Sequence, residues 1–199
     1  MKKVFIMFSA VVFALSACSS TNVKRVNSDR QIDLSGYWND IDVRIVCNAL
    51  INDCLNSPRV DQEIRAMQKT PAVIVGRFRN ESSEHIDTAI ISSTMETTIF
   101  NSGKLDFVAG GDVREEIRIE RQDQQSNASP STVSTLRNET GADFMLTGTV
   151  RAIVDRDGNQ TVRTYFVTAE LTSIETNQRL WMGQNSEIKK LITTPKNRL

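Results

Sequence analysis

The first part of the chain predicts two helices. Asn39 or Asp40 can cap a helix that begins near Ile41, because a side-chain oxygen there accepts a hydrogen bond from a free backbone N–H. Apolar residues then recur at helical spacing and would line one face. This stripe consists of Val43, Val46, Cys47, Leu50 and Cys54. Pro58 either ends this helix or starts the next turn, and a second short helix is predicted over residues 58–68.

The middle of the chain predicts a strand–helix–strand unit. Residues 71–79 form an aliphatic run typical of a strand buried on both faces, as in a parallel sheet. A helix is predicted over residues 86–101, and Gly103 fits its C-terminal end. We expect its inward face to carry Ile86, Ile90, Ile91, Met95 and Ile99. Residues 104–109 predict a second strand, and a unit of this length implies a right-handed parallel crossover.

The second half of the chain predicts two more helices and then strands. Residues 112–125 are highly charged and predict a surface helix, and a further helix is predicted from Pro130 or Ser131 to Gly141. Three strand candidates follow, at 143–153, 161–172 and 178–188. Short turns join them into an antiparallel meander. The predicted fold class is α/β: one domain with a mixed sheet, a βαβ crossover, a C-terminal meander, and helices packed on the sheet.

The opening residues are typical of an export signal. Lys2 and Lys3 precede an apolar run that is too short to span a bilayer as a helix. The run ends in Leu-Ser-Ala-Cys at residues 15–18, which resembles the lipobox of bacterial lipoproteins. That resemblance implies cleavage before Cys18, a diacylglycerol on its thiol and a third acyl chain on its amine. In Gram-negative lipoproteins of this kind, aspartate after the cysteine favours retention in the inner membrane. The resemblance therefore implies that Ser19 directs the protein to the periplasmic face of the outer membrane.

These features divide the chain into three predicted parts. Residues 1–17 are the signal peptide, residues 18–33 a short lipidated tether, and residues 34–199 a single α/β domain. Without Lys2 and Lys3 the mature chain has 22 basic and 24 acidic residues. This balance gives no reason to expect nucleic acid as a partner.

Cys47 and Cys54 lie seven residues apart on the first predicted helix. Their Cα atoms would then be about 10.5 Å apart, whereas a disulfide needs about 4.4–6.8 Å. We interpret them as two buried thiols; a kinked helix or an intermolecular bridge is the alternative.

No set of residues predicts catalysis or metal binding. Ser186 and Lys189 match the Ser-x-x-Lys pattern of penicillin-recognising enzymes, which requires both residues on one face of a helix. Here they fall in a predicted strand, where positions i and i+3 point to opposite faces. The single histidine, His85, has no metal-ligand partner at a suitable spacing. We therefore expect no enzyme activity, no metal, and no cofactor beyond the acyl groups on Cys18.

Arginines are the candidate partner-binding residues. Arg114, Arg118 and Arg121 are spaced by four and three positions, so they share one face of the charged helix. Arg is enriched at protein interfaces, although a solvated surface with weak ion pairs is the simpler interpretation. Arg77 and Arg79 at the end of the first strand are equally good candidates.

Several motifs resemble a known family. In chain order they are DLSGYWND at 33–40, GRFRN at 76–80, SEHIDT at 83–88, NSGK at 101–104, GADFMLTG at 141–148, WMGQ at 181–184 and EIKK at 187–190. Together they are similar to the LpoB family, outer-membrane lipoproteins that activate class A penicillin-binding proteins. The resemblance implies a fold like the N-terminal domain of TolB and a non-enzymatic role in peptidoglycan synthesis.

One feature departs from this family. Its enterobacterial members have a long Pro-rich tether that crosses the peptidoglycan, whereas residues 19–33 contain no proline and reach at most about 50 Å when extended. A structural or assembly lipoprotein of a secretion complex, similar to CsgG, is therefore the alternative function.

Overall fold

The computed structural model describes residues 23–28 and 30–195. Ile32–Leu199 forms one compact unit, and Met1–Gln31 belongs to another. In the described part of the first unit, the Arg30 N–H donates to the Asn27 carbonyl at 3.1 Å. Among the described residues, no helix has the length and apolar character needed to cross a membrane.

The compact unit contains one mixed sheet of six strands. They are β1 (Ala72–Asn80), β2 (Asp106–Phe107), β3 (Phe144–Asp157), β4 (Gln160–Ser173), β5 (Arg179–Asn185) and β6 (Lys189–Thr193). The strand order is β2-β1-β3-β4-β5, and β6 also pairs with β4. β1 is parallel to β2 and β3, while β3, β4 and β5 form the predicted antiparallel meander. The α/β mixed-sheet prediction is thus confirmed.

Within the part of the chain that the structure describes, four helices accompany the sheet. They are α1 (Asp40–Leu55), α2 (Pro58–Ala66), α3 (Thr88–Ser102) and α4 (Gly111–Asn127). Asn39 caps α1 in a capping box with Asp42, so the first helix begins where its sequence predicts. Gly103 ends α3 with φ of 65°, a left-handed conformation that favours glycine.

The core lies between one face of the sheet and helices α1, α2 and α3. The predicted stripe of α1 is buried, including both cysteines, which are free thiols. Alternate residues of the strands meet it, among them Val73, Phe78, Leu146, Val167 and Leu171. Burial of this apolar surface stabilises the fold by about 25 cal/mol per Å².

Three predictions in the first half of the chain are wrong in detail. Ile90 is 54% exposed, because α3 buries only Ile91, Met95 and Ile99. The second strand is confined to Asp106–Phe107. β1 is buried on both faces only at its start, since its last residues alternate between core and solvent.

Two predictions in the second half also need correction. The helix expected to end at Gly141 does not form: residues 128–143 have no regular helix or strand. Leu136 is 48% exposed there, so an isolated helix would have little surface to bury. The predicted strand at 178–188 forms only over Arg179–Asn185, as β5. Residues 189–193 form a further strand, β6, which the sequence did not predict, and it pairs with β4 along the same edge as β5.

Candidate docking surfaces

A buried ion pair attaches the segment before α1 to the end of the sheet. Lys190 Nζ, on β6, lies 2.6 Å from Asp42 Oδ2 and 2.6 Å from Asp33 Oδ1, and it donates to the Tyr37 carbonyl at 2.9 Å. Burial raises the pKa of Asp42, and the hydrogen bond and charge of Lys190 oppose this shift. The compact unit therefore includes Asp33, one residue before the predicted start of the domain at residue 34.

A second buried pair lies beside the first. Arg163 Nε on β4 is 3.2 Å from Glu84 Oε1, and both side chains are less than a tenth exposed. The Tyr165 hydroxyl donates to the same carboxylate at 2.7 Å, and burial together with Glu84 raises the pKa of Tyr165. The Arg163 guanidinium stacks 3.9 Å from the centre of the Tyr37 ring, and Trp38 packs edge-on against Tyr165. The 33–40 motif is therefore a structural part of the domain.

The open sheet face is the face opposite helices α1, α2 and α3. It contains a groove of about 670 Å³. Its lining residues come from β1, β3, β4 and β5: Arg77, Arg79, Thr147, Gly148, Thr149, Arg151, Thr168, Ala169, Glu170, Arg179 and Met182. Arg179 Nε lies 2.9 Å from Glu170, and Arg151 lies 2.7 Å from Glu81. Glu81 is also 3.9 Å from Arg79 Nε, so one carboxylate serves two arginines.

A β-bulge places Arg77 and Arg79 on this face. Val75 pairs with Leu146 and Phe78 with Gly148, so Gly76 and Arg77 together oppose the single residue Thr147. Without the extra residue, strand alternation would put Arg77 and Arg79 on the same side as the buried Val75. The bulge instead turns Phe78 into the core, where it is 1% exposed, and both arginines toward solvent.

The arginines of α4 have a different arrangement. Arg118 makes a two-point contact with Glu139, at 3.0 and 3.1 Å, and Arg121 lies 3.0 Å from the same carboxylate. Arg114 Nε donates to the Ala109 carbonyl at 2.9 Å. The hydrogen bond from Arg118 lowers the pKa of Glu139. These three side chains therefore share a face, as predicted. Arg118 and Arg121 hold the 128–143 segment, through Glu139, against a helix that buries none of its residues.

Sequence reasoning missed most of the open sheet face. It named Arg77 and Arg79 but not Arg151, Arg179 or Met182. Strand alternation was an available signal for Arg151, which has the opposite parity to the buried Val150. It gave none for Met182, because Leu180 and Trp181 on either parity of β5 are both buried. The groove itself depends on pairing across four strands, which the sequence does not reveal.

The remaining candidates carry no further site. Cys18 lies outside the described residues. Ser186 precedes β6 and Lys189 begins it, and both are exposed rather than placed together on a helix. Within residues 23–28 and 30–195, no group of three metal-ligating side chains comes together.

One protein-family model matches most of this chain. The model of the peptidoglycan-synthase activator LpoB matches residues 42–186. Solved structures similar to this chain include the LpoB C-terminal domain from Escherichia coli, with 15% identity, a TM-score of 0.45, and coverage of 72% of this chain and 96% of that one. The NMR structure of E. coli LpoB has 14% identity and a TM-score of 0.44, and the match covers 90% of this chain and 86% of that one.

A third similar structure is lipoprotein GNA1162 from Neisseria meningitidis, with 19% identity and a TM-score of 0.38, covering 61% of this chain and 83% of that one. No curated protein matches the chain. Because the family model spans most of the sequence, from α1 to the end of β5, the chain belongs to the LpoB family of peptidoglycan-synthase activators.

Proposed function

We propose that this protein is a non-enzymatic outer-membrane lipoprotein that binds a class A penicillin-binding protein and stimulates its peptidoglycan synthesis. The match of the synthase-activator family over residues 42–186 carries this proposal. In it, Cys18 bears the diacylglycerol and acyl chain that hold the protein on the periplasmic face. Two or more acyl chains give a stable anchor, whereas one gives marginal binding.

Reconstitution tests the proposal directly. The full acylated chain in detergent is added to a purified class A synthase from the same organism, and glycan polymerisation and peptide cross-linking are measured. We expect both rates to rise with saturable dependence on the added chain. A failure to bind, or binding with unchanged rates for every class A synthase of that organism, would contradict the proposal.

The membrane anchor is tested separately with a Cys18→Ser variant. We expect this variant to lose the acyl groups and to leave the outer-membrane fraction, while the wild-type chain remains there. An equal distribution of the two proteins between membrane and soluble fractions would rule out Cys18 as the anchor. Mass spectrometry of the N-terminal peptide identifies the acyl groups.

The short tether favours a second candidate function, a structural part of an envelope or secretion assembly. Asp33 already contacts Lys190, so a spacer after Cys18 has at most the 14 residues 19–32 and a reach of no more than about 50 Å. A domain held this close to its membrane suits a fixed assembly better than a distant synthase. Light scattering of the acylated chain in detergent distinguishes the two, because a ring or pore supports assembly and a strict monomer argues against it.

A further inference from the structure

The open sheet face has the composition of a protein interface. Four of its eleven groove-lining residues are arginine and none is lysine. Met182 is 66% exposed at one side of the groove, and Met145, on the same face of β3, is 38% exposed. Interface cores are enriched in arginine and methionine and depleted in lysine relative to other surfaces. The arginines and methionines of this face, and the absence of lysine from its groove, are therefore typical of a protein interface.

The arginines of the groove are not balanced by the carboxylates that pair with them. Arg77, Arg79, Arg151 and Arg179 carry four positive charges, whereas Glu81 and Glu170 supply two negative ones. Glu170 pairs with Arg179, and Glu81 is closer to Arg151 than to Arg79. Among the described residues, Arg77 makes no ion pair. Two guanidinium groups are thus available for carboxylates of a partner, which they can bind in a planar two-point geometry.

The other arginine surface is less suitable for docking. Arg118 and Arg121 already share the carboxylate of Glu139, and Arg114 is hydrogen-bonded to a backbone carbonyl. Binding a partner there would require breaking contacts that hold the 128–143 segment. The structure therefore separates the five arginines that the sequence left equivalent.

We propose that the synthase docks on the open sheet face through an acidic surface whose carboxylates pair with Arg77 and Arg79. This inference rests on the proposed function. The bulge in β1 supports it, because it turns both arginines out of the core and into the groove. Met145 and Met182 provide adaptable apolar contact beside the charged pairs.

Charge reversal at matched positions tests the docking surface. The affinity of the full acylated chain for the purified class A synthase is measured for the wild type, Arg77→Glu, Met182→Glu, Arg118→Glu and Arg65→Glu. Arg65 lies on α2, away from both surfaces, and its side chain is 76% exposed. We expect Arg77→Glu and Met182→Glu to weaken binding at least about tenfold. Arg118→Glu and Arg65→Glu should change it by less than about twofold.

The outcomes separate this inference from the proposed function. If the wild type binds and Arg77→Glu binds equally well, the docking surface is wrong while activation stands. Equal losses for Arg77→Glu and Arg65→Glu would indicate general charge attraction and would also overturn it. A loss confined to Arg118→Glu would assign docking to α4. No binding by the wild type would overturn the proposed function and this inference together. Thermal unfolding of each variant confirms that the exposed substitutions leave the fold intact.

Discussion

Lys190 Nζ and Asp42 Oδ2 lie 2.6 Å apart in a buried ion pair between residues separated by 148 positions. The pair joins the first turn of α1 to the last strand, and both side chains are less than a tenth exposed. Desolvation makes such a pair costly to form, but removing one partner leaves an uncompensated buried charge. The contact thus fixes where the N-terminal segment meets the sheet more than it adds net stability.

Lys190→Met should destabilise the domain by about 3 kcal/mol at neutral pH, because Asp42 would remain buried without its cation. Lys189→Met is the matched control: Lys189 is exposed, and its loss should cost less than about 0.5 kcal/mol. Urea unfolding of both variants measures the difference. Equal free energies of unfolding for Lys190→Met and the wild type would show that the pair contributes nothing.

The same pair predicts a pH dependence. Burial raises the pKa of Asp42, so protonation of Asp42 in the folded state adds stability at low pH that is lost as the pH rises through this raised pKa. Loss of Lys190 removes an interaction that lowers this pKa, and the penalty of Lys190→Met should therefore shrink as the solution is acidified. Unfolding curves measured at several pH values test this expectation. A penalty that grows on acidification would contradict it.

Gly148→Ala should destabilise the domain by about 2–3 kcal/mol, because overpacking of a filled core forces backbone shifts. A Cβ atom at this position would overlap the Phe78 ring and lie 2.5 Å from the Thr168 carbonyl oxygen. Gly141→Ala is the control, since nothing lies within 4 Å of its added Cβ. Phe78→Leu in the Gly148→Ala background should restore only part of the loss, because the Thr168 backbone cannot move away. Full restoration would contradict this explanation.

Asp143→Asn should lower the free energy of unfolding by about 1–2 kcal/mol at neutral pH. Burial alone would raise the pKa of Asp143, but hydrogen bonds from Lys69 and the Ala72 N–H, with the charge of Lys69, lower it. The ionised Asp143 carboxylate contributes its full stabilisation above the ordinary aspartate pKa of about 4. This stabilisation is lost as the pH falls through the lower pKa that Asp143 has in the folded protein. Wild type and variant should therefore converge below that pH. A difference that persists in acid would show that charge is not responsible.

Cys47 and Cys54 should resist alkylation in the folded protein and react fully after unfolding. Burial raises the pKa of each thiol to about 12, so almost no reactive thiolate exists at pH 8. A Ser93→Cys variant, with its cysteine on the exposed side of α3, provides a reactive control. Peptide mass spectrometry after iodoacetamide treatment locates the modified residues. Rapid labelling of Cys47 in the native protein would show that α1 opens readily.

The sequence alone determined those elements for which hydrophobic periodicity and the residues at the ends indicate the same position. The cap at Asn39, the apolar stripe of α1, the aliphatic start of β1 and the left-handed Gly103 each place an element near its observed position. In these cases the periodicity of burial and the chemistry of the ends depend on neighbouring residues, so short-range pattern is sufficient. The family resemblance likewise came from motifs that can be seen without coordinates.

Tertiary structure decided what local pattern leaves ambiguous. The bulge that sends Phe78 inward and Arg77 outward depends on the register with β3, and the exposure of Ile90 depends on which neighbours cover α3. Lys190 gives no sequence signal of the buried Asp42 that it contacts. Cross-strand register and long-range ion pairs join residues far apart in the chain, so only the folded arrangement determines which faces are buried and which arginines remain available.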